Sequence, residues 1–348
     1  MKKIAFLINQ MDAVGGTERV VANLSAMFQS KLGVNVSVIT MVGEKSLLPL
    51  HSDIHFYSMQ TIPMYKKGFA LRKYLKNRGI DTLVSVGMTR LNIWLALMLP
   101  LLKGVKVIAT EHVNMTQSSF IVKLLKRILF IQYNYFVVLT QSNELLYKKW
   151  GMKNVITIPN SNAFDCICLR NYEANSKIVL TIGRLVEQKN FMHLLIAWNE
   201  IFRKYPDWKL HIVGEGAMEN EMRTYIKSKG MENSCFILPF TNDVQKHYAE
   251  AQIFVMSSLF EGLPMVLLEA PQFGIPCVSY DCETGPRDII VVGENGFLAK
   301  NQDPEDLAKK ISQLMENDEM RYYFHEKSLI YSKRFSKKSI CQQWAKLL

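Results

Sequence analysis

Thr181-Ile182-Gly183-Arg184-Leu185-Val186-Glu187-Gln188-Lys189-Asn190 closes a short apolar run, Ile178 to Ile182, and leads into a helical segment. A β-rich run followed by a turn and a helix is one unit of a parallel α/β sheet. Outward from it the same alternation continues, with strands expected at Lys209 to Val213, Cys235 to Leu238, Ile253 to Met256 and Cys277 to Ser279. The front half carries its own series: Ile4 to Ile8, Val34 to Thr40, Thr82 to Val86, Lys106 to Thr110, Tyr135 to Leu139 and Val155 to Ile158. This pattern predicts an α/β protein of two doubly wound, Rossmann-like domains. Turn-rich Pro159-Asn160-Ser161-Asn162 separates residues 1–160 from 161–332. Within residues 333–348, Ser336 to Leu348 predicts one more helix, with Ile340, Trp344 and Leu347 on one face. Ligands of such sheets sit beyond the carboxyl ends of the strands, so two facing domains are expected to share a central cleft.

With 348 residues, 49% of them hydrophobic and 21% charged, the chain is long enough for two separate cores. The apolar run after Lys2 and Lys3 is too short for a signal peptide. The longest apolar stretch, Leu91 to Leu102, contains Asn92 and Pro100, so neither secretion nor a membrane span is expected. Among the six cysteines there is no CxxC pair, which points to reduced thiols rather than a zinc site or disulfides. Charge is unevenly placed. Residues 1–160 hold 20 Lys and Arg against 7 Asp and Glu, a net +13, whereas the remainder holds 22 against 24, a net −2. The front half therefore calls for an anionic partner: nucleic acid, an anionic membrane surface or a phosphorylated lipid.

Three stretches carry chemistry. Gly15 and Gly16 precede an amphipathic run, let backbone approach a ligand, and leave Thr17 to cap the helix. A plain tight turn is the equal alternative, and GxGxxG is absent. Arg184 and Lys189 are suited to a diphosphate, one as a fork and one as a point charge, although alone they also fit a solvated surface. Phe260-Glu261-Gly262-Leu263-Pro264-Met265-Val266-Leu267-Leu268-Glu269 places Pro264 in a first helical turn, Glu261 before it and Glu269 along the helix. Backbone N–H groups at Gly262 to Met265 suit sugar hydroxyls or phosphate, and Glu269 suits both hydroxyls of a ribose. Pro271 is expected to bend that helix. No Asp-x-Asp occurs, and no His, Cys and carboxylate cluster has ligand spacing, so no metal and no cofactor are expected.

Taken together, Gly15-Gly16, the GRLxxxKN run at Gly183 to Asn190 and the EGLPxVxLEA run at Glu261 to Ala270 resemble the retaining glycosyltransferases of family 4, in family order across nearly the whole chain. The resemblance implies the GT-B fold, with the acceptor domain first and the last helix crossing back to it. It implies that Arg184 and Lys189 bind the donor diphosphate, that Glu269 binds the ribose, and that Glu261 binds the transferred sugar. It also places Gly183, Pro239, Phe240, Gly262, Leu263, Pro264 and Met265 around the donor, and the glycine loop opposite the phosphates. His112, in Thr110-Glu111-His112-Val113-Asn114, corresponds to a histidine near the reacting centre, with Asn114 beside the acceptor. Asp281 to Ile290 resembles the loop of members that build lipid-linked oligosaccharides and bacterial surface polysaccharides.

On the acceptor side, Met64 to Arg78 carries Lys66, Lys67, Arg72, Lys73, Lys76 and Arg78 with no acidic residue. Phe120 to Leu129 sets Phe120, Ile121, Leu124, Leu125, Ile128 and Leu129 on one face with Lys123, Lys126 and Arg127 beside it. Both read as basic amphipathic helices for a membrane interface or a lipid phosphate, the alternative being stripes that face the core. The expected activity is transfer of a hexose or N-acetylhexosamine from a nucleotide sugar, with uridine favoured on family grounds. The expected acceptor is lipid-linked or a polysaccharide, and the expected place is the cytoplasmic face of a membrane. Two rivals remain: an epimerase of the same fold, which leaves the basic helices without a role, and a nucleic-acid binder, for which no helix-turn-helix, finger or aromatic motif is present.

Overall fold

The computed structural model describes every residue except 1, 14, 113–118, 163, 165–175 and 242. It divides into two units, Met1–Ser161 with Lys337–Leu348, and Asn162–Ser336. In the first, seven parallel strands are β1 (Lys3–Ile8), β2 (Asn35–Thr40), β3 (His55–Ser58), β4 (Thr82–Gly87), β5 (Lys106–Glu111), β6 (Tyr135–Val138) and β7 (Val155–Thr157). They lie in the order β3-β2-β1-β4-β5-β6-β7. The second unit has β8 (Ile178–Ile182), β9 (Lys209–Val213), β10 (Cys235–Leu238), β11 (Ile253–Met256), β12 (Cys277–Tyr280) and β13 (Gly296–Ala299), ordered β10-β9-β8-β11-β12-β13. Both sheets reverse their winding beside their first strand, the doubly wound arrangement, so each unit is Rossmann-like.

Two strands escape the sequence reading, and both are sheet edges. The β3 stretch, His-Phe-Tyr-Ser, is at most half-buried and lacks an apolar run. In β13, Gly296 interrupts the pattern because the strand lies so close to Cys277 that an added Cβ would fall 2.1 Å from its carbonyl oxygen.

Central strands are buried on both faces, which is why they read as continuous apolar runs rather than alternating ones. One face of the first sheet is covered by the helices Met64–Arg78, Thr89–Met98 and Gln141–Lys149, with Leu71, Leu75, Leu91, Leu95 and Tyr147 in a common core. Gly68 sets the first of these helices so close to the second that an added Cβ would lie 2.5 Å from Met98 Sδ. On the other face lie the helix Gly16–Leu32 and the last helix, which spans Lys337–Ala345 rather than reaching Leu348; Ile340 and Trp344 are buried on it, and Leu347 is buried in the turn that follows. Trp344 meets Phe28 edge to face, ring centroids 5.7 Å apart. The second unit reaches Ser336 rather than ending at 332, because Phe335 is buried and its carbonyl accepts the Asn162 N–H at 2.8 Å.

Because Trp344 holds the last helix to the first core, Trp344→Ala is expected to cost about 3–5 kcal/mol. Amide hydrogen exchange should accelerate in β1, β2 and the helix Gly16–Leu32, with the second unit unaffected. Unchanged protection in the first unit would contradict this role.

Candidate functional site

At the carboxyl edge of the second sheet, neighbouring strands hand over to loops that touch one another. Gly183 N–H donates to Val213 O at 3.0 Å and Leu185 N–H to Glu215 O at 2.8 Å. The loop after β8 can lie on the loop after β9 only because Gly214 and Gly216 have no side chains. A Cβ there would stand 1.9 Å from Gly183 O and 2.3 Å from Leu185 O. The sequence reading missed these two glycines; the signal was the Gly-x-Gly directly after Lys209–Val213.

The loops after β8 and β11 are joined more firmly. Lys189 Nζ pairs with Glu261 Oε1 at 2.7 Å, both side chains largely shielded. Around that pair, Leu259 N–H donates to Gln188 O at 2.9 Å, Gln188 Nε2 to Phe260 O at 3.0 Å, and Ser257 Oγ to Lys189 O at 2.9 Å. A third loop, after β12, supports the second: Thr284 Oγ1 donates to Glu261 O at 2.5 Å. Gly285, at φ 100°, packs where a Cβ would lie 2.6 Å from Pro264 Cδ. Cys282, in the same loop, is buried and its thiol is pushed up to about 12, first by that burial. Thus Lys189 and Glu261, 72 residues apart, are one constellation. Arg184 stands beside it in sequence, exposed, its side chain making no hydrogen bond or ion pair among the described residues.

Pro264 is not in the first helical turn but at the N-cap of the short helix Met265–Glu269. Nor does Pro271 bend a longer helix. Without an N–H it cannot extend the α-helical ladder, and the chain passes into a 3-10 turn at Ala270–Phe273, leaving Glu269 as the last α-helical residue. Glu269 is buried and accepts the Tyr248 hydroxyl at 2.7 Å, so a ribose there would share the carboxylate with Tyr248. Gly262 to Pro264 form the backbone between Glu261 and that helix, which Met265 opens, and Pro239 and Phe240 follow β10 as exposed residues.

In the first unit, the N-cap of the helix Gly16–Leu32 is Gly15. Thr17 is not the cap: its hydroxyl donates to Glu18 Oε2 at 2.9 Å. The Glu18 carboxylate folds back over the helix end, so close to Gly15 that a Cβ there would be 2.5 Å from Oε2. A carboxylate of the chain itself is thereby stabilised at the positive end of the helix dipole. His112 follows β5, with Nε2 2.8 Å from Thr110 Oγ1, and burial pushes its pKa down to about 4, so the imidazole is neutral at pH 7. Asn114 lies outside the described residues.

Of the basic residues expected at the acceptor, Lys66, Arg72, Lys73 and Lys76 are exposed, whereas Lys67 is buried and does not belong to that surface. Its side chain turns inward, only 4% of the residue is accessible, and Nζ donates to the Met41 carbonyl. Burial lowers its pKa, and it cannot contact a surface. Arg72 donates to the Leu101 carbonyl, which fixes its fork against the neighbouring turn. In the helix Phe120–Leu129 the apolar stripe faces outward, with Phe120 at 81% and Ile121 at 69% accessible, and Lys126 is the buried residue. Among the described residues, no group of three or more His, Cys, Asp or Glu side chains is placed to hold a metal ion.

Comparison with known proteins covers both units. The family described as Glycosyl transferases group 1 matches residues 170–329, and Glycosyltransferase Family 4 matches residues 14–161. An uncharacterized glycosyltransferase of Haemophilus influenzae is 33% identical, covering 100% of both chains. The amylovoran biosynthesis glycosyltransferase AmsD of Erwinia amylovora is 29% identical, again over 100% of both. Among solved structures, Anabaena HepE in complex with UDP superposes with a TM-score of 0.82 at 17% identity, covering 100% of this chain and 99% of the other, a likeness of fold. With two parallel-sheet units of this topology and end-to-end similarity to such enzymes, the chain belongs to the family 4 glycosyltransferases of GT-B fold.

Proposed function

We propose that this glycosyltransferase moves a hexose or N-acetylhexosamine from a UDP sugar, with retention and without a metal, to a lipid-linked or polysaccharide acceptor at the inner face of a membrane. The observation that carries the donor reading is the Lys189–Glu261 pair, clamped between two loops and followed in sequence by backbone suited to a sugar phosphate. HepE, of the same fold, is described with UDP bound, and AmsD is named for amylovoran biosynthesis; both agree with a uridine donor and a glycan acceptor.

In this reading Arg184 and Lys189 hold the diphosphate and take up the negative charge that grows as the bond from anomeric carbon to phosphate oxygen breaks. Glu261 orients the Lys189 ammonium and accepts a sugar hydroxyl. The acceptor oxygen attacks from the same face, and its proton passes to the departing phosphate oxygen, so configuration is retained with no covalent intermediate. His112, uncharged at working pH, serves as a hydrogen-bonding group and not as a cation.

Membrane action is supported by the first unit's surface. The helix Met64–Arg78 exposes Met64, Tyr65 and Phe69 together with Lys66, Lys73 and Lys76, an apolar and cationic face suited to anionic lipid. Among the described residues no helix is long and apolar enough to cross a membrane.

Calorimetry with a panel of nucleotide sugars should find binding of a UDP sugar that chelator leaves unchanged; loss on chelation would remove the metal-free mechanism. Arg184→Ala should reduce turnover by about 2–4 kcal/mol of barrier, roughly thirty- to a thousand-fold, at unchanged stability. Lys189→Ala should lower both, because it strands Glu261, at about 1–3 kcal/mol of stability. Equal turnover in Arg184→Ala and parent sinks the assignment.

A pH dependence follows from His112. Below its ordinary pKa of 6.5 the unfolded chain takes a proton there that the folded chain refuses until about 4. Its stabilising contribution is therefore complete above 6.5 and is lost as pH falls through that window. Urea midpoints of parent and His112→Asn should converge towards pH 4; parallel curves between pH 7 and 4 would contradict this.

Replacing Lys66, Lys73 and Lys76 with Gln should weaken sedimentation with phosphatidylglycerol vesicles and impair transfer to a lipid-linked acceptor more than to a short soluble one. Equal loss on both acceptors with unchanged sedimentation would show that the acceptor lipid is recognised elsewhere.

A further inference from the structure

Glu111, the last residue of β5 and the neighbour of His112, has a fully buried carboxylate that gathers three helices. Lys126 Nζ lies 2.5 Å from its Oε1, and Thr89 Oγ1 donates to the same oxygen at 2.9 Å. The Tyr147 hydroxyl donates to Oε2. Burial, with the Glu111 charge second, drives the Tyr147 pKa well upward, so the phenol stays a donor. Thr89 opens the helix Thr89–Met98, Tyr147 lies in Gln141–Lys149, and Lys126 comes from Phe120–Leu129, the helix whose apolar face points out.

That last helix is held in an unusual way. Its one buried residue is Lys126, while Phe120, Ile121, Leu124, Leu125 and Ile128 are exposed beside Arg127. Ten residues are too few to be helical unaided. A buried ion pair supplies little net stability compared with apolar residues of the same volume, but it fixes relative position strictly, since breaking it leaves an uncompensated charge. Lys126 therefore ties the helix to Glu111, which one peptide bond joins to His112.

We propose that the Glu111–Lys126 pair is a positioning device by which seating of the helix Phe120–Leu129 on an anionic lipid surface sets the placement of His112. The proposal rests on the membrane reading above and adds a regulation to it: the enzyme turns over faster on the surface than in solution. Glu111 and Lys126 are positioning residues and touch no substrate.

The test uses the full chain, vesicles of phosphatidylglycerol and phosphatidylethanolamine, and three readouts: sedimentation, the His112 imidazole nitrogen resonances assigned with His112→Asn, and UDP release. In the parent, vesicles should shift the His112 resonances and stimulate release at least about five-fold. Lys126→Met leaves Glu111 unpaired, so the Glu111→Gln/Lys126→Met double variant, which removes both charges, tests the coupling even if the single variant fails to fold. It should sediment like the parent while losing both the shift and the stimulation; Lys126→Arg should retain them. A double variant that keeps both would overturn the coupling with docking intact, as would a parent that sediments with no shift at His112. A parent that does not sediment would overturn the docking reading itself.

Discussion

A parallel sheet cannot be closed by hairpins: each strand must be followed by a crossover that brings the chain back to the edge from which it started. All carboxyl ends consequently gather along one edge, and residues far apart in sequence become neighbours whenever their strands do. In the second unit β8 lies between β9 and β11, and β11 lies beside β12. The loops carrying Gly183 to Lys189, Gly214 to Gly216, Ser257 to Pro264 and Thr284 to Gly285 must then share a few ångströms of space. Glycine at 214, 216 and 285 is what permits it. The Lys189–Glu261 pair is an outcome of strand order before it is an outcome of side-chain chemistry.

Once the loops are brought together, their hydrogen bonds decide how much freedom the charged groups keep. Three bonds tie the Gln188–Lys189 backbone and the Gln188 side chain to the segment Ser257 to Phe260, and Thr284 holds the Glu261 carbonyl from behind. The ammonium and carboxylate are therefore oriented by main chain that does not have to reorganise, the condition under which electrostatic stabilisation of a growing charge costs least. Pairing also lets a lysine sit largely shielded without a bare charge in a low dielectric. Arg184, exposed and without such a partner among the described residues, is the complementary case: a cation stabilised by the solvent rather than by the fold.

Much of this architecture was legible in the chain. Central strands, buried on both faces, announce themselves as apolar runs, and the helical segments between them imply parallel sheets. What escaped was marginal in hydrophobic content, as in His55–Ser58, or broken by a glycine that close packing demands, as in Gly296–Ala299. At the site, residue types and order were legible, since Arg184, Lys189 and Glu261 lie in recognisable runs. The contact between Lys189 and Glu261 was not, because it depends on β8 pairing with β11. Likewise Glu18 took the helix end expected of Thr17, since its longer side chain can fold over a glycine that offers no obstruction.

The lysines show where reading a face from its pattern stops. Helical periodicity tells which residues share a side, but not which side turns inward, and charge is normally a safe guide because burying an ammonium is costly. Two lysines here break that guide by different means. Lys67 finds a carbonyl, at Met41, on a helix whose Leu71 and Leu75 already face the core. Lys126 finds Glu111, and with it the orientation of a whole helix is reversed, five apolar side chains being left in solvent. Exposed apolar area of that extent forgoes about 25 cal/mol for each Å² not buried. One ion pair does not offset such a loss in water, whereas an apolar, anionic surface would recover it. The proposed lipid partner is thus argued from the difference between what Lys126 gains inside and what Phe120, Ile121 and Leu124 forgo outside.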